Sequence, residues 1–227
     1  MKTRLSADEV REYGAEIVIV ATGSRWAQDG LNGVTHEPIA GADASLAHVL
    51  TPEQLMLEGK LPPGETVVVY DCEGYVVANW IAERLALAGY RVELVTCLER
   101  VAAVHDETLE GPLVRRRLHE VGVAQRSGVL VRSVEPGLLH AEDEFGEPLE
   151  LQADALVLVT QRLSNEALYL DLATGEGAFA LYRIGDCVAP RVFAADAIFD
   201  GHRLAREIDA ENPAVALPYR RERAVLA

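Results

Sequence analysis

Two strand-forming runs lie far apart in the chain, an apolar, β-branched one at residues 16–21 and another at residues 179–184. The first closes on Ala21-Thr22-Gly23 and the second on Ile184-Gly185-Asp186. The first run is of the kind found in strands buried on both faces, and the second predicts the last strand of the chain. Between them stands a complete unit. Residues 66–70 predict a buried strand, and residues 75–88 a helix whose apolar face holds Val76, Val77, Trp80, Ile81 and Leu85. Gly89 falls at the position that ends such a helix, and residues 91–96 predict a third strand. A β-α-β unit of about thirty residues imposes parallel pairing and a right-handed crossover. The chain therefore reads as one sheet begun, a second domain inserted, and the first sheet resumed.

The remaining signals fit that plan. Ser6-Ala7-Asp8-Glu9 is a capping box with Leu5 and Val10 as its hydrophobic staple, opening a helix that stops near Gly14. Residues 24–50 lack periodicity and predict a long ordered loop. Thr51-Pro52-Glu53-Gln54 is a second capping box, with proline at the first helical position. Leu61-Pro62-Pro63-Gly64 breaks the chain and predicts a boundary, giving domains at 1–62, 63–176 and 177–227. Residues 107–120 predict a helix whose run Arg115-Arg116-Arg117 forms a solvated, ion-paired face. Short strands at 129–135, 138–142 and 149–152, split by Pro136-Gly137 and Phe145-Gly146, predict an antiparallel meander. Residues 155–160 predict another buried strand. A polar stretch then leads to Gly175-Glu176-Gly177, and residues 194–208 predict the last helix. The tail from Asn212-Pro213 onward, with Arg220, Arg221 and Arg223, shows no clear element.

Composition narrows the function. A formal charge of −15 would repel a nucleic-acid backbone and an anionic membrane surface alike. No apolar run approaches the ~20 residues that span a bilayer, and acidic residues follow the N-terminus where a signal peptide would be apolar. A cytoplasmic protein is the expectation. Cys72, Cys97 and Cys187 follow no metal or redox spacing and read as buried thiols. The six histidines are scattered, which argues against zinc.

Two places invite a nucleotide. A strand ending in Ala21-Thr22-Gly23 lets the backbone pass close to a ligand. Asp186, just after Gly185, is placed to accept hydrogen bonds from a ribose or polyol, with a helix following whose positive end faces a phosphate. The second place is the turn of the β-α-β unit, Asp71-Cys72-Glu73-Gly74-Tyr75-Val76. A nicotinamide dinucleotide there needs glycines so that backbone N–H groups can reach the pyrophosphate. Asp71, Glu73 and Val76 fill those positions. An ionised carboxylate at ~4 Å from a phosphate costs about 4 kcal/mol at an effective dielectric of about 20. At the end of the second strand, where an acid would grip the ribose, stands Thr96. NAD(P) binding is not expected, and the unit reads as scaffold. No catalytic constellation emerges: Asp106, Glu107 and the group Glu142, Asp143, Glu144 read as solvated acids, and Tyr13, Trp26 and Tyr75 as packing residues.

Residues 6–13 (S-A-D-E-V-R-E-Y), 18–26 (V-I-V-A-T-G-S-R-W), 35–46 (T-H-E-P-I-A-G-A-D-A-S-L) and 51–54 (T-P-E-Q) resemble trimethylamine dehydrogenase and its relatives, histamine and dimethylamine dehydrogenases. So do residues 109–120, 184–206 and 212–222, and a wider likeness to 2,4-dienoyl-CoA reductase and the old yellow enzyme group follows. The resemblance implies an α/β fold: an incomplete FAD-type Rossmann-like domain with an inserted NAD(P)-type Rossmann-like domain, arranged as in glutathione reductase. It implies oxidative N-demethylation or deamination of an amine, with electrons passed to an electron-transferring flavoprotein. FMN and a 4Fe-4S cluster are expected on a (β/α)8 barrel absent from this sequence, carried by another segment or subunit. ADP or FAD is expected at Ala21, Thr22, Gly23, Gly185 and Asp186, which supply half a site, because the family's first G-x-G-x-x-G loop has no counterpart here. The spoiled turn at 71–76 fits the amine dehydrogenases, whose NAD-like domain is empty, better than the reductases. Two other readings stand beside it: a scaffold or docking module without ligand, and an NAD(P)H-dependent flavin reductase. A first sheet lacking its opening strands should expose an edge and an apolar face.

Overall fold

A computed structural model describes residues 4–175, 177 and 179–208. In chain order the elements are α1 (Ala7–Glu12), β1 (Ile17–Val20), β2 (Ser24–Trp26), β3 (Val49–Leu50), α2 (Pro52–Met56), β4 (Thr66–Asp71), α3 (Val76–Leu87), β5 (Arg91–Thr96) and α4 (Gly111–Glu120). They continue as β6 (Ala124–Arg126), β7 (Leu130–Glu135), β8 (Gly137–Glu142), β9 (Pro148–Ala153), β10 (Ala155–Val159), β11 (Arg162–Ser164), α5 (Ala167–Thr174), β12 (Ala180–Arg183) and α6 (Ala194–Glu207). The result is a mixed α/β fold with a parallel sheet and a small antiparallel one.

The chain forms two compact units, one joining the residues up to Ser24 with those from Ser164 onward, the other holding Arg25 to Leu163. This division differs from the expected domains at 1–62, 63–176 and 177–227. Residues 25–62 join the second unit because their apolar groups bury there. Leu50 pairs with Val157 of β10, while Trp26 and Leu55 enter the core beneath α3. The Leu61-Pro62-Pro63 break is a loop within that unit. Residues 164–175 belong to the first unit, where α5 buries Leu172 against Val20 and Cys187.

The second unit is built on a five-stranded parallel sheet ordered β3-β10-β4-β5-β6. β4 and β10 are continuous apolar runs, Thr66–Asp71 and Ala155–Val159, and almost every residue of both is buried. That is what helices and strands packed on both faces require. One face meets α3 and α4 through Val67, Val69, Ile81, Leu85 and Leu118. The other face carries Val68, Tyr70 and Leu158 against the β7-β8-β9 meander, through Val131, Leu139 and Leu151. The expected meander and β-α-β pairing are both present. The helix expected over 107–120 begins only at Gly111, because Leu109 adopts φ 64° and residues 103–106 form a separate 3-10 turn. Its arginines do form ion pairs: Arg115 with Asp106, Arg116 with Glu120 and Arg117 with Glu83.

In the first unit, both capping-box bonds of Ser6 and Glu9 are made, and Arg11 ties α1 to the Asp171 carbonyl of α5. β1 and β12 pair in parallel, and among the described residues they form a two-stranded sheet. Burial on both faces of β1 does not occur: Ile17 and Ile19 are 44% and 45% exposed. One apolar side packs on Leu172, and the other lies open. Among the described residues no helix is long and apolar enough to cross a membrane.

Leu158 is fully buried in the second core cluster, whereas Leu57 is 80% exposed. Leu158→Ala is expected to cost about 2–5 kcal/mol through lost transfer energy and a cavity. Leu57→Ala should stay within about 0.5 kcal/mol. Urea unfolding of the two variants checks the contrast.

Candidate functional site

The β1–β12 register pairs Val20 with Arg183, and the Ile184 N–H then donates to the Val20 carbonyl at 3.1 Å. The two strands therefore leave their sheet side by side, and all five sequence-predicted positions gather at one strand end. Gly23 and Gly185 adopt φ 73° and 67°, a left-handed backbone that a side chain resists. Polar bonds cross between the two strand ends. Thr22 Oγ1 donates to the Asn165 carbonyl and lies 3.3 Å from Cys187 Sγ, and the Asn165 N–H returns a 2.9 Å bond to the Gly23 carbonyl. Ser24 Oγ donates to Asp186 Oδ2 at 3.2 Å.

α6 braces this end from behind. The Gly185 N–H donates to the Asp200 carboxylate at 3.1 Å, and Asp200 is ion-paired with Arg191. The Arg191 hydrogen bond holds Asp200 below the usual carboxylate range and raises Arg191 in return. The Arg191 amide reaches Asp186 Oδ1 at 3.4 Å. Asp186 is thus an oriented, half-buried acceptor, while Ala21 and Thr22 are exposed. The arrangement can bind hydroxyls and accommodate a close-passing ligand.

The open apolar face expected of the first sheet lies beside these residues, and only its form as a groove was not foreseen. An apolar groove of about 1020 Å³ runs along the open side of β1, lined by Leu5, Val10, Ile17, Ile19, Thr22 and Leu168 among others. Ala21 and Thr22 line it, whereas Gly185 and Asp186 lie outside it. Its size matches the upper end of ligand clefts. Tyr13, expected to pack, is instead 83% exposed at its rim. The signal available was the run Ile17–Val20 itself, whose apolar residues outnumber what one strand face needs.

The turn at the end of β4 has a different character from the one expected. Asp71 points inward and is fully buried, and its Oδ1 accepts the Glu73 and Gly74 N–H groups, each at 2.9 Å. Those are backbone donors of the kind a pyrophosphate would need. The side chain of Glu73 is ion-paired with Arg162, whose Nε lies 2.8 Å from it. Arg162 also lies over the Trp26 ring. The obstacle to a dinucleotide is therefore less a pair of bare negative charges than a set of donors already occupied. Thr96 is buried, with its hydroxyl taking the Leu98 N–H.

Asp71 Oδ2 is buried without a partner in the structure, and desolvation pushes the Asp71 carboxyl up to about 7. A folded-state value above the unfolded one means the native protein holds a proton that the unfolded chain releases, so stability falls as pH rises from about 4 to about 7. Asp71→Asn keeps the acceptor that closes the turn and removes that slope. Urea midpoints across this window should show the variant gaining on the parent by roughly 1–3 kcal/mol at neutral pH. A gap that does not change with pH would mean Asp71 ionises normally.

Residues 50–160 match the family described as the OYE-like second alpha/beta domain. The chain is 37% identical to dimethylamine dehydrogenase of Hyphomicrobium sp., over 96% of this chain and 33% of that protein. Histamine dehydrogenase from Rhizobium sp. 4-9 superposes on 99% of the chain and 35% of its own, with TM-score 0.88 and 34% identity. The 6-hydroxypseudooxynicotine amine oxidase of Pseudomonas geniculata N1 gives TM-score 0.82 and 38% identity over 88% of this chain and 30% of its own. The chain is thus related to oxidoreductases acting on amines, and it spans about a third of the length of these relatives.

Proposed function

We propose that this chain is the nucleotide-domain portion of a flavin- and iron–sulfur-dependent amine dehydrogenase. The observation that carries the reading is the meeting of the two strand ends, Ala21-Thr22-Gly23 and Gly185-Asp186, within a chain alike to dimethylamine dehydrogenase over nearly its whole length. In this reading Asp186 accepts hydrogen bonds from the ribose or polyol of ADP or FAD, and the Thr22-Gly23 backbone gives the nucleotide room. The glycine loop that takes the pyrophosphate comes from a segment outside this sequence, which also covers the open side of β1. That segment or a partner subunit carries a barrel holding FMN and a 4Fe-4S cluster, where an amine is oxidatively demethylated or deaminated.

The turn at 71–76 supports the choice of branch. With the N–H groups of Glu73 and Gly74 closed on Asp71, a nicotinamide coenzyme has no cradle there. Electrons therefore leave to a protein acceptor, an electron-transferring flavoprotein, and are not taken from NAD(P)H.

Co-expression of the chain with a barrel-bearing polypeptide from the same source, followed by purification on a tag carried by this chain, tests the proposal. The expected outcome is a complex with the visible absorbance of flavin and cluster, bleached by a methylated amine and unchanged by NADPH. Bleaching by NADPH alone, or failure of the two polypeptides to associate, would overturn it.

A further inference from the structure

β4 and β5 are parallel neighbours in register as far as Asp71 and Thr96. The next residue of each is a cysteine. Cys72 and Cys97 therefore leave adjacent strand ends together, and both pack on the sheet face that carries Tyr70 and Val95. Neighbouring strands lie ~4.8 Å apart, within the Cα separation of ~4.4–6.8 Å that a disulfide spans. Both residues are free and half-buried, whereas Cys187 is free and fully buried. Cys97 Sγ lies 4.0 Å from the Asp71 carbonyl oxygen. Closed on their partners, the same two thiols would pin the ends of β4 and β5 beside the Asp71 turn.

We propose that Cys72 and Cys97 are a thiol-modification site that closes to an intramolecular disulfide on exchange with a low-molecular-weight disulfide. The inference does not depend on the proposed enzyme. The neighbouring Cys72 thiol draws Cys97 below the usual thiol range, and Cys97 in turn raises Cys72, so Cys97 is the attacking group. Its thiolate attacks one sulfur of glutathione disulfide, forming a mixed disulfide and releasing one glutathione thiolate. Cys72 then loses its proton to that thiolate or to water and attacks Cys97 Sγ, expelling the second glutathione. The protein dithiol is oxidised by two electrons, and one glutathione disulfide is reduced to two glutathiones.

The test is incubation of the full chain with excess glutathione disulfide, an acid quench, alkylation of remaining thiols and mass analysis of the intact protein and its peptides. Of the three thiols, two are expected to disappear together, with a loss of two hydrogens, no retained glutathione and a peptide joining Cys72 to Cys97. Dithiothreitol should restore both. The variant Cys72→Ser is expected to stop at a glutathione adduct on Cys97. If that variant does not fold, peptide mapping of the parent chain decides by itself. Unreacted thiols, a lasting adduct on the parent protein, or a cross-link to Cys187 would each overturn the proposal.

Discussion

The parallel ladder between β1 and β12 is the constraint on which the candidate site depends. It joins two segments that the whole second unit separates in sequence, and it sets them in a fixed register. Strand pairing at Val20 and Arg183 alone dictates that Thr22 and Gly185 emerge together. The bonds from Thr22 to Asn165 and from Ser24 to Asp186 then hold the emerging backbones at a single spacing. Yet this ladder has two strands among the described residues, fewer than an independently stable sheet needs. Its support comes from α1 and α5, through a small cluster around Val20, Leu172 and Cys187. A thin core thus lies beside an open apolar groove.

The second unit is the opposite case. Its five-stranded sheet is covered on both faces by large buried clusters, and a buried polar atom without a partner sits at the end of β4. There the chain spends a buried carboxylate on closing its own turn. A glycine in place of Asp71 would leave the Glu73 and Gly74 N–H groups for a ligand; with Asp71 they are satisfied internally. The unit keeps a β-α-β geometry while the backbone donors at its turn are occupied by Asp71.

Much of this was legible in the sequence, for identifiable reasons. β4 and β10 announce themselves as unbroken apolar runs, and both capping boxes form as read because their bonds are local to four residues. The meander follows from turn residues at Pro136-Gly137 and Phe145-Gly146. Other elements are set by tertiary context. α5, read as a polar stretch, has no side-chain cap at Glu166 and is held by burying Leu172. β6 is exposed throughout and exists through its ladder with β5 and the Arg126–Glu93 ion pair. The late start of α4 was signalled by Gly111-Pro112, which the run of arginines obscured. The residue types marked where β1 and β12 end, at Val20 and Arg183. The inward rotation of Asp71 and the pairing of Glu73 with Arg162, 89 residues away, could not be read from spacing. The tail from Asn212 onward lies outside the described residues.

The central claim is that the two joined strand ends form one wall of a nucleotide site. Its most direct measurement is the amount of adenine nucleotide released on denaturing the proposed complex of this chain with a barrel-bearing polypeptide, with this chain either unchanged or carrying Asp186→Ala. The account expects about one nucleotide per chain in the parent complex and a clear loss in the variant, with FMN and cluster content the same in both. Equal nucleotide in the two preparations, or none in either, would contradict it.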